Sequence, residues 1–148
     1  MVSQDTSGRN ATNTFLSGKG DVLLTYESEA LTSRLAGTDI QYVIPRQTML
    51  IELPIAVLKS SKNRDAANSF IRFTKGDAAQ TLFGEAGWRP VSPKIAKRFA
   101  SKYPTRPGIA RISDKQFGGW RAADKRWFDL KSGLMVGIEK RVGGPSGG

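Results

Sequence analysis

The chain has 148 residues, enough for one ordinary domain with its own core, and its 39% hydrophobic and 24% charged residues form a globular composition. It contains no cysteine and no histidine, which excludes disulfides, thiolate and imidazole metal sites, and His-assisted nucleophiles. The formal charge of +10 sits in the second part: residues 1–85 carry 9 Lys/Arg against 9 Asp/Glu, and residues 86–148 carry 14 against 4. Such a basic surface is either solvated or meets nucleic acid, anionic lipid or an acidic partner.

Met1-Val2-Ser3-Gln4-Asp5 lacks the basic start and apolar run of a secretory leader. Asp5 or Ser7 can cap a short helix over residues 10–16, which Gly18 stops. The start of that helix offers unpaired N–H groups to an anion, and Gly8 allows close approach to the backbone. Residues 22–24, the apolar run after Gly20-Asp21, read as a buried strand of a parallel sheet. Tyr26 stands at the carboxyl end of that strand. There it faces either a ligand or, as a cap on the sheet, solvent. Glu29 to Leu35 reads as a brief helix ended near Gly37. Residues 41–45 are a solitary extended piece, kept extended by Pro45.

Residues 49–58 contain a further buried strand around Ile55 to Leu58. This run is interrupted by Glu52 and Pro54 and is too short to span a bilayer. Residues 63–73 have helical periodicity with Asn63 as cap. Asp77 caps a second helix over 78–83, and Ser92-Pro93 opens a third that runs to Tyr103. Ser113-Asp114 starts a turn reaching Phe117-Gly118-Gly119-Trp120. Residues 122–130 form a last helix, and the Gly-rich stretch 143–148 is a flexible tail. No internal repeat is present. The scattered strands make a sheet too small to cover the helices.

Three strings, Ser7-Gly8-Arg9-Asn10-Ala11-Thr12-Asn13-Thr14-Phe15, Gly20-Asp21-Val22-Leu23-Leu24-Thr25-Tyr26-Glu27-Ser28-Glu29-Ala30 and Phe117-Gly118-Gly119-Trp120, resemble the sulfate-binding proteins. These are the extracytoplasmic solute receptors of ATP-driven sulfate and thiosulfate importers. Gly87-Trp88-Arg89-Pro90 and the helix at residues 65–74 are lesser matches, and the resemblance runs from about Ser3 to Asp129 in the family's order.

The resemblance implies an α/β fold, the C-terminal part of a two-lobe periplasmic binding protein. Residues 1–40 would be the end of the second lobe, 41–46 the inter-lobe crossing and 47–142 the C-terminal part of the first lobe. Residues 22–24 and 55–58 would then lie in different sheets. It also implies a fragment or truncated copy of a receptor whose complete form is periplasmic or extracytoplasmic. The implied partners are sulfate or thiosulfate and the importer's membrane subunits, with no cofactor, no metal and no catalytic residue.

Carried over from the family, Gly8 falls on a backbone donor to the dianion. Arg9 falls on an arginine that braces the cleft, and Tyr26 stands where the family has a tryptophan donor. A phenol also donates one hydrogen bond, with a shorter reach. A site built only of donors rejects a protonated oxyanion, whose hydrogen would find no acceptor. The competing reading is a basic nucleic-acid or anionic-surface module with Trp88, Tyr103, Trp120 and Trp127 as stacking residues. No nucleophile–base pair supports an enzyme.

Overall fold

Helices, not strands, dominate the computed structural model, which describes residues 3–105 and 107–142. The chain divides into two units. One comprises residues 1–29, 43–51 and 108–148, the other residues 30–42 and 52–107. The tail expected at residues 143–148 lies outside the described residues.

In the first unit, α1 (Gly8–Leu16) begins two residues earlier than its apolar pattern suggested. Ser7 is the cap: its extended backbone lets the hydroxyl accept from the Asn10 amide at 3.1 Å. Asp5, the other candidate, instead accepts from the Thr14 hydroxyl at 2.9 Å. Gly18, at φ 90°, ends the helix in the left-handed region. α2 (Glu27–Leu35) starts with Glu27 and Glu29 in its first turn, where acidic side chains complement the helix dipole.

β1 (Thr48–Met49) pairs in parallel with β2 (Ile109–Ala110), and the Leu50 amide extends the ladder to the Ala110 carbonyl at 2.8 Å. Beyond β2, Gly118 and Gly119 both have positive φ and lead into α6 (Trp120–Ala123). A π-helical turn, Asp124–Phe128, follows directly. The continuous helix expected over residues 122–130 is therefore replaced by a four-residue α segment and a wider turn. Asp129 closes that turn by accepting from the Lys131 and Ser132 amides at 3.0 and 2.8 Å and from the Ser132 hydroxyl at 2.8 Å. Those bonds hold its carboxyl below the usual carboxylate range, the Ser132 hydroxyl contributing most. α7 (Leu134–Val142) has no counterpart in the sequence expectations.

The second unit takes up α2 from Ala30 onward. Gly37, at φ 86°, terminates it, with Thr38 N–H on Ser33 O and Gly37 N–H on Arg34 O, both at 3.0 Å. α3 (Arg64–Lys75) has the helical stripe predicted, yet it buries none of its residues, and Asn63 caps it by position without a side-chain bond. α4 (Asp77–Glu85) starts at Asp77 rather than after it.

α5 (Pro93–Arg98) is shorter than expected because Lys102 and Tyr103 are turned toward the end of α4. Lys102 Nζ donates to the Gly84 and Glu85 carbonyls at 2.9 and 2.8 Å, and Tyr103 Oη donates to Gly84 O at 2.8 Å. These are the orphan carbonyls of a helix terminus, satisfied by side chains. A Cβ at Gly84 would come within 2.6 Å of the Phe99 ring, so glycine is what lets that ring pack on α4. Ile95, wholly inaccessible to solvent, sits at the centre of this cluster. Buried Gln80 ties it together: Nε2 donates to Thr74 O at 2.7 Å, while Oε1 accepts from the Val91 and Ser92 amides at 2.7 and 3.3 Å.

The strand expectations need correction. Residues 22–24 and 55–58 join no ladder, and Val22 and Leu24 are 81% and 89% exposed rather than buried. The 41–45 piece likewise joins no ladder. A strand is stable only when its N–H and C=O groups find a partner strand. Among the described residues, β1 and β2 form the one ladder.

Candidate anion-binding site

The first unit brings Gly8, Arg9 and Tyr26 together at the start of α1. Within α1 the Asn10 amide is taken by Ser7 Oγ and the Ala11 amide by Ser7 O at 2.9 Å. The N–H groups of Gly8 and Arg9 precede the first intrahelical acceptor, so they are the donors this helix end can offer. A Cβ at residue 8 would fall 2.8 Å from both Cδ2 and Cε2 of Tyr26. The phenol ring therefore lies directly against Gly8, and any larger residue there would displace it. Half of Tyr26 remains exposed.

Two residues that sequence reasoning passed over set this corner. Thr12 is buried, and its hydroxyl donates back to Gly8 O at 2.9 Å. The Thr25 hydroxyl stands at 3.5 Å from both Thr12 Oγ1 and Gly8 O. Together they tie the segment carrying Tyr26 to the first turn of α1. The spacing of Thr12, four residues after Gly8, was the signal available for it, since a helical threonine can bond the carbonyl four residues back.

Arg9 Nε pairs with Glu29 Oε2 at 2.8 Å, with Glu29 largely buried and Arg9 more than half exposed. Solvent screening limits such a pair to about 1 kcal/mol. It links the first turn of α1 to the first turn of α2 and offsets a carboxylate that would otherwise repel an anion nearby. The corner is thus a pair of backbone donors beside a phenol, with the Glu29 carboxylate paired to an arginine. Chemically it can hold an acceptor-only group by hydrogen bonds.

The aromatic residues of the nucleic-acid alternative differ in exposure. Tyr103 is buried, with the Arg89 guanidinium and Lys102 ammonium each 5.4 Å from its ring centre. Arg126 lies over half-buried Trp127 at 5.2 Å. Trp88 and Trp120 are exposed, but in different units. Among the described residues there is no cluster of three or more acidic metal ligands, and no helix long and apolar enough to cross a membrane.

A sequence profile of the family described as bacterial extracellular solute-binding protein matches residues 1–89. The chain belongs to that family. It is 33% identical over 141 residues to a sulfate-binding protein of Synechocystis, covering 91% of this chain and 39% of that one. To a thiosulfate-binding protein of Pseudomonas aeruginosa it is 31% identical over 131 residues, covering 84% of this chain and 39% of the relative. The solved structure of the sulfate-binding protein SubI from Mycobacterium tuberculosis superposes with a TM-score of 0.77 at 41% identity, covering 86% of this chain and 44% of that one. The chain therefore has part of the α/β fold of a sulfate-binding protein. It spans about two fifths of the length of the relatives it matches.

Proposed function

We propose that the chain contributes one wall of a sulfate or thiosulfate site in the solute-binding component of an importer. The Gly8 and Arg9 amides and the Tyr26 hydroxyl would be donors to the anion, with Arg9's side chain bracing the corner through Glu29. The observation that carries this reading is the packing of the Tyr26 ring on Gly8, at the end of α1 where the free amides lie. The relatives' names supply the ligand class, and the all-donor character of the corner matches a fully ionised oxyanion. The assignment to the C-terminal part of a two-lobe receptor, with lobes at residues 1–40 and 47–142 joined through 41–46, belongs to the same proposal. So do an extracytoplasmic location, the importer's membrane subunits as partners and a binding rather than catalytic role.

The test is a sulfate titration of the isotopically labelled chain at constant ionic strength. Only part of a receptor's donors is present, so binding should be about millimolar or weaker, near −4 kcal/mol, with the Gly8 and Arg9 amides shifting most. Tyr26→Phe keeps the ring and removes the donor, and should weaken binding by roughly 1.5–3 kcal/mol, the range for a hydrogen bond to a charged group. Shifts that avoid Gly8 and Arg9, or a Tyr26→Phe chain that binds as well as the parent, would refute the assignment.

A further inference from the structure

We propose that residues 120–142 are a docking surface for an anionic lipid layer, with α7 lying along the headgroups. α6, the π-helical turn and α7 follow one another within the first unit, and the π turn packs against both neighbours. In α7, Leu134, Ile138 and Val142 recur every four residues, so they share one face of the helix. That face is open. With Phe128 and Leu130 just before it, its side chains are between 40% and 76% exposed.

The same stretch carries six exposed cations, Arg121, Lys125, Arg126, Lys131, Lys140 and Arg141, against three acids, Asp124, Asp129 and Glu139. Among the described residues none of the six is held in an ion pair. Trp127, with the Arg126 guanidinium 5.2 Å from its ring centre, adds an indole, a ring that settles at membrane–water boundaries.

Charge and apolarity together select the occupant. Nucleic acid would reward the cations and leave the aliphatic face in water. A second copy would bring the same formal charge of +10 and be repelled. An anionic lipid layer covers both features, since its headgroups attract the cations and its acyl boundary takes the aliphatic side chains. The proposal does not rest on the anion site at Gly8.

The experiment is co-sedimentation of the 148-residue chain with phosphatidylcholine vesicles, with and without about 30% phosphatidylglycerol, at about 0.15 M salt. The expected result is binding to the anionic vesicles only, with a blue shift of tryptophan emission, weakening as salt rises. Lys140→Gln with Arg141→Gln should lower the partition coefficient about 30-fold, a factor of about five for each cation near a charged surface. Leu134→Ser should lower it about fivefold, and the exposed position should leave the circular dichroism as it was. Absence of binding, equal binding to neutral vesicles, or either variant binding as well as the parent would overturn the proposal. Tighter binding at the same salt to an oligonucleotide or to polyglutamate would overturn it by naming another polyanion as occupant. A dimer in sedimentation that Leu134→Ser dissolves would overturn it by naming a second copy.

Discussion

The α4–α5 cluster and the stretch from Val22 to Leu24 show two ways for a chain to use apolar residues. Around α4 and α5, Ile95, Phe99 and Tyr103 meet Ala79, Gln80 and Gly84 within a span of 25 residues, and the orphan carbonyls of α4 are taken up by Lys102 and Tyr103. Between Val22 and Leu24 the sequence is just as apolar, but Val22 and Leu24 are left exposed to solvent. The first region closes on itself and the second does not. Local bonds suffice for a helix pair, whereas a strand depends on residues far away in sequence.

The contrast is open to measurement, and the largest effect should be at Ile95. Ile95→Ala empties a fully buried position and should destabilise the helical cluster by about 2–4 kcal/mol, seen as lost protection of the α4 and α5 amides. Tyr103→Phe removes the hydroxyl from Gly84 O, which still receives Lys102. The expected loss is about 1 kcal/mol by denaturant titration, and an unchanged midpoint would show that Lys102 alone caps α4. Leu24→Ala, on a side chain that is already hydrated, should cost under about 0.5 kcal/mol. A loss comparable with that of Ile95→Ala would mean that the stretch is packed in solution and the contrast is false.

The smallest effect concerns the turn after the π-helix. Asp129 titrates below its ordinary value, so its contribution is fully present above the unfolded carboxylate range. That contribution is lost as the pH falls through the lower folded value. The Ser132 amide resonance should follow this acid titration, and it should be indifferent to pH in Asp129→Asn.

What could be read in advance follows the same division. Ser7, Gly18, Gly37 and the stripe of α3 were legible because caps and periodicity act within a few residues. The corner around Gly8 was partly legible, since the Ser7-Gly8 start of α1 announces open amides. Its closure by Thr12 and Thr25 was not, because two hydroxyls around one carbonyl leave no pattern in the chain. The strands failed for a physical reason: an apolar run states a preference for burial but cannot supply the surface it needs. α7 was missed because Gly137 interrupts it and no side-chain cap marks its start, so neither of the usual cues was on display. The break at Asp124–Phe128 likewise carries no proline or glycine to announce it.

Gln80 is buried with its two amide ends facing opposite demands, an acceptor toward two N–H groups and a donor toward a carbonyl. Its chemistry is thereby directional. Rotating the amide half a turn would set oxygen against oxygen and nitrogen against nitrogen at every contact. Deamidation, which adds no bulk, would install a carboxylate that keeps the bonds to Val91 and Ser92 but repels Thr74 O unless it holds a proton. A slow chemical ageing reaction at one side chain would thus place a titratable group inside the join between α3, α4 and the start of α5, where Gln80 as synthesised carries none.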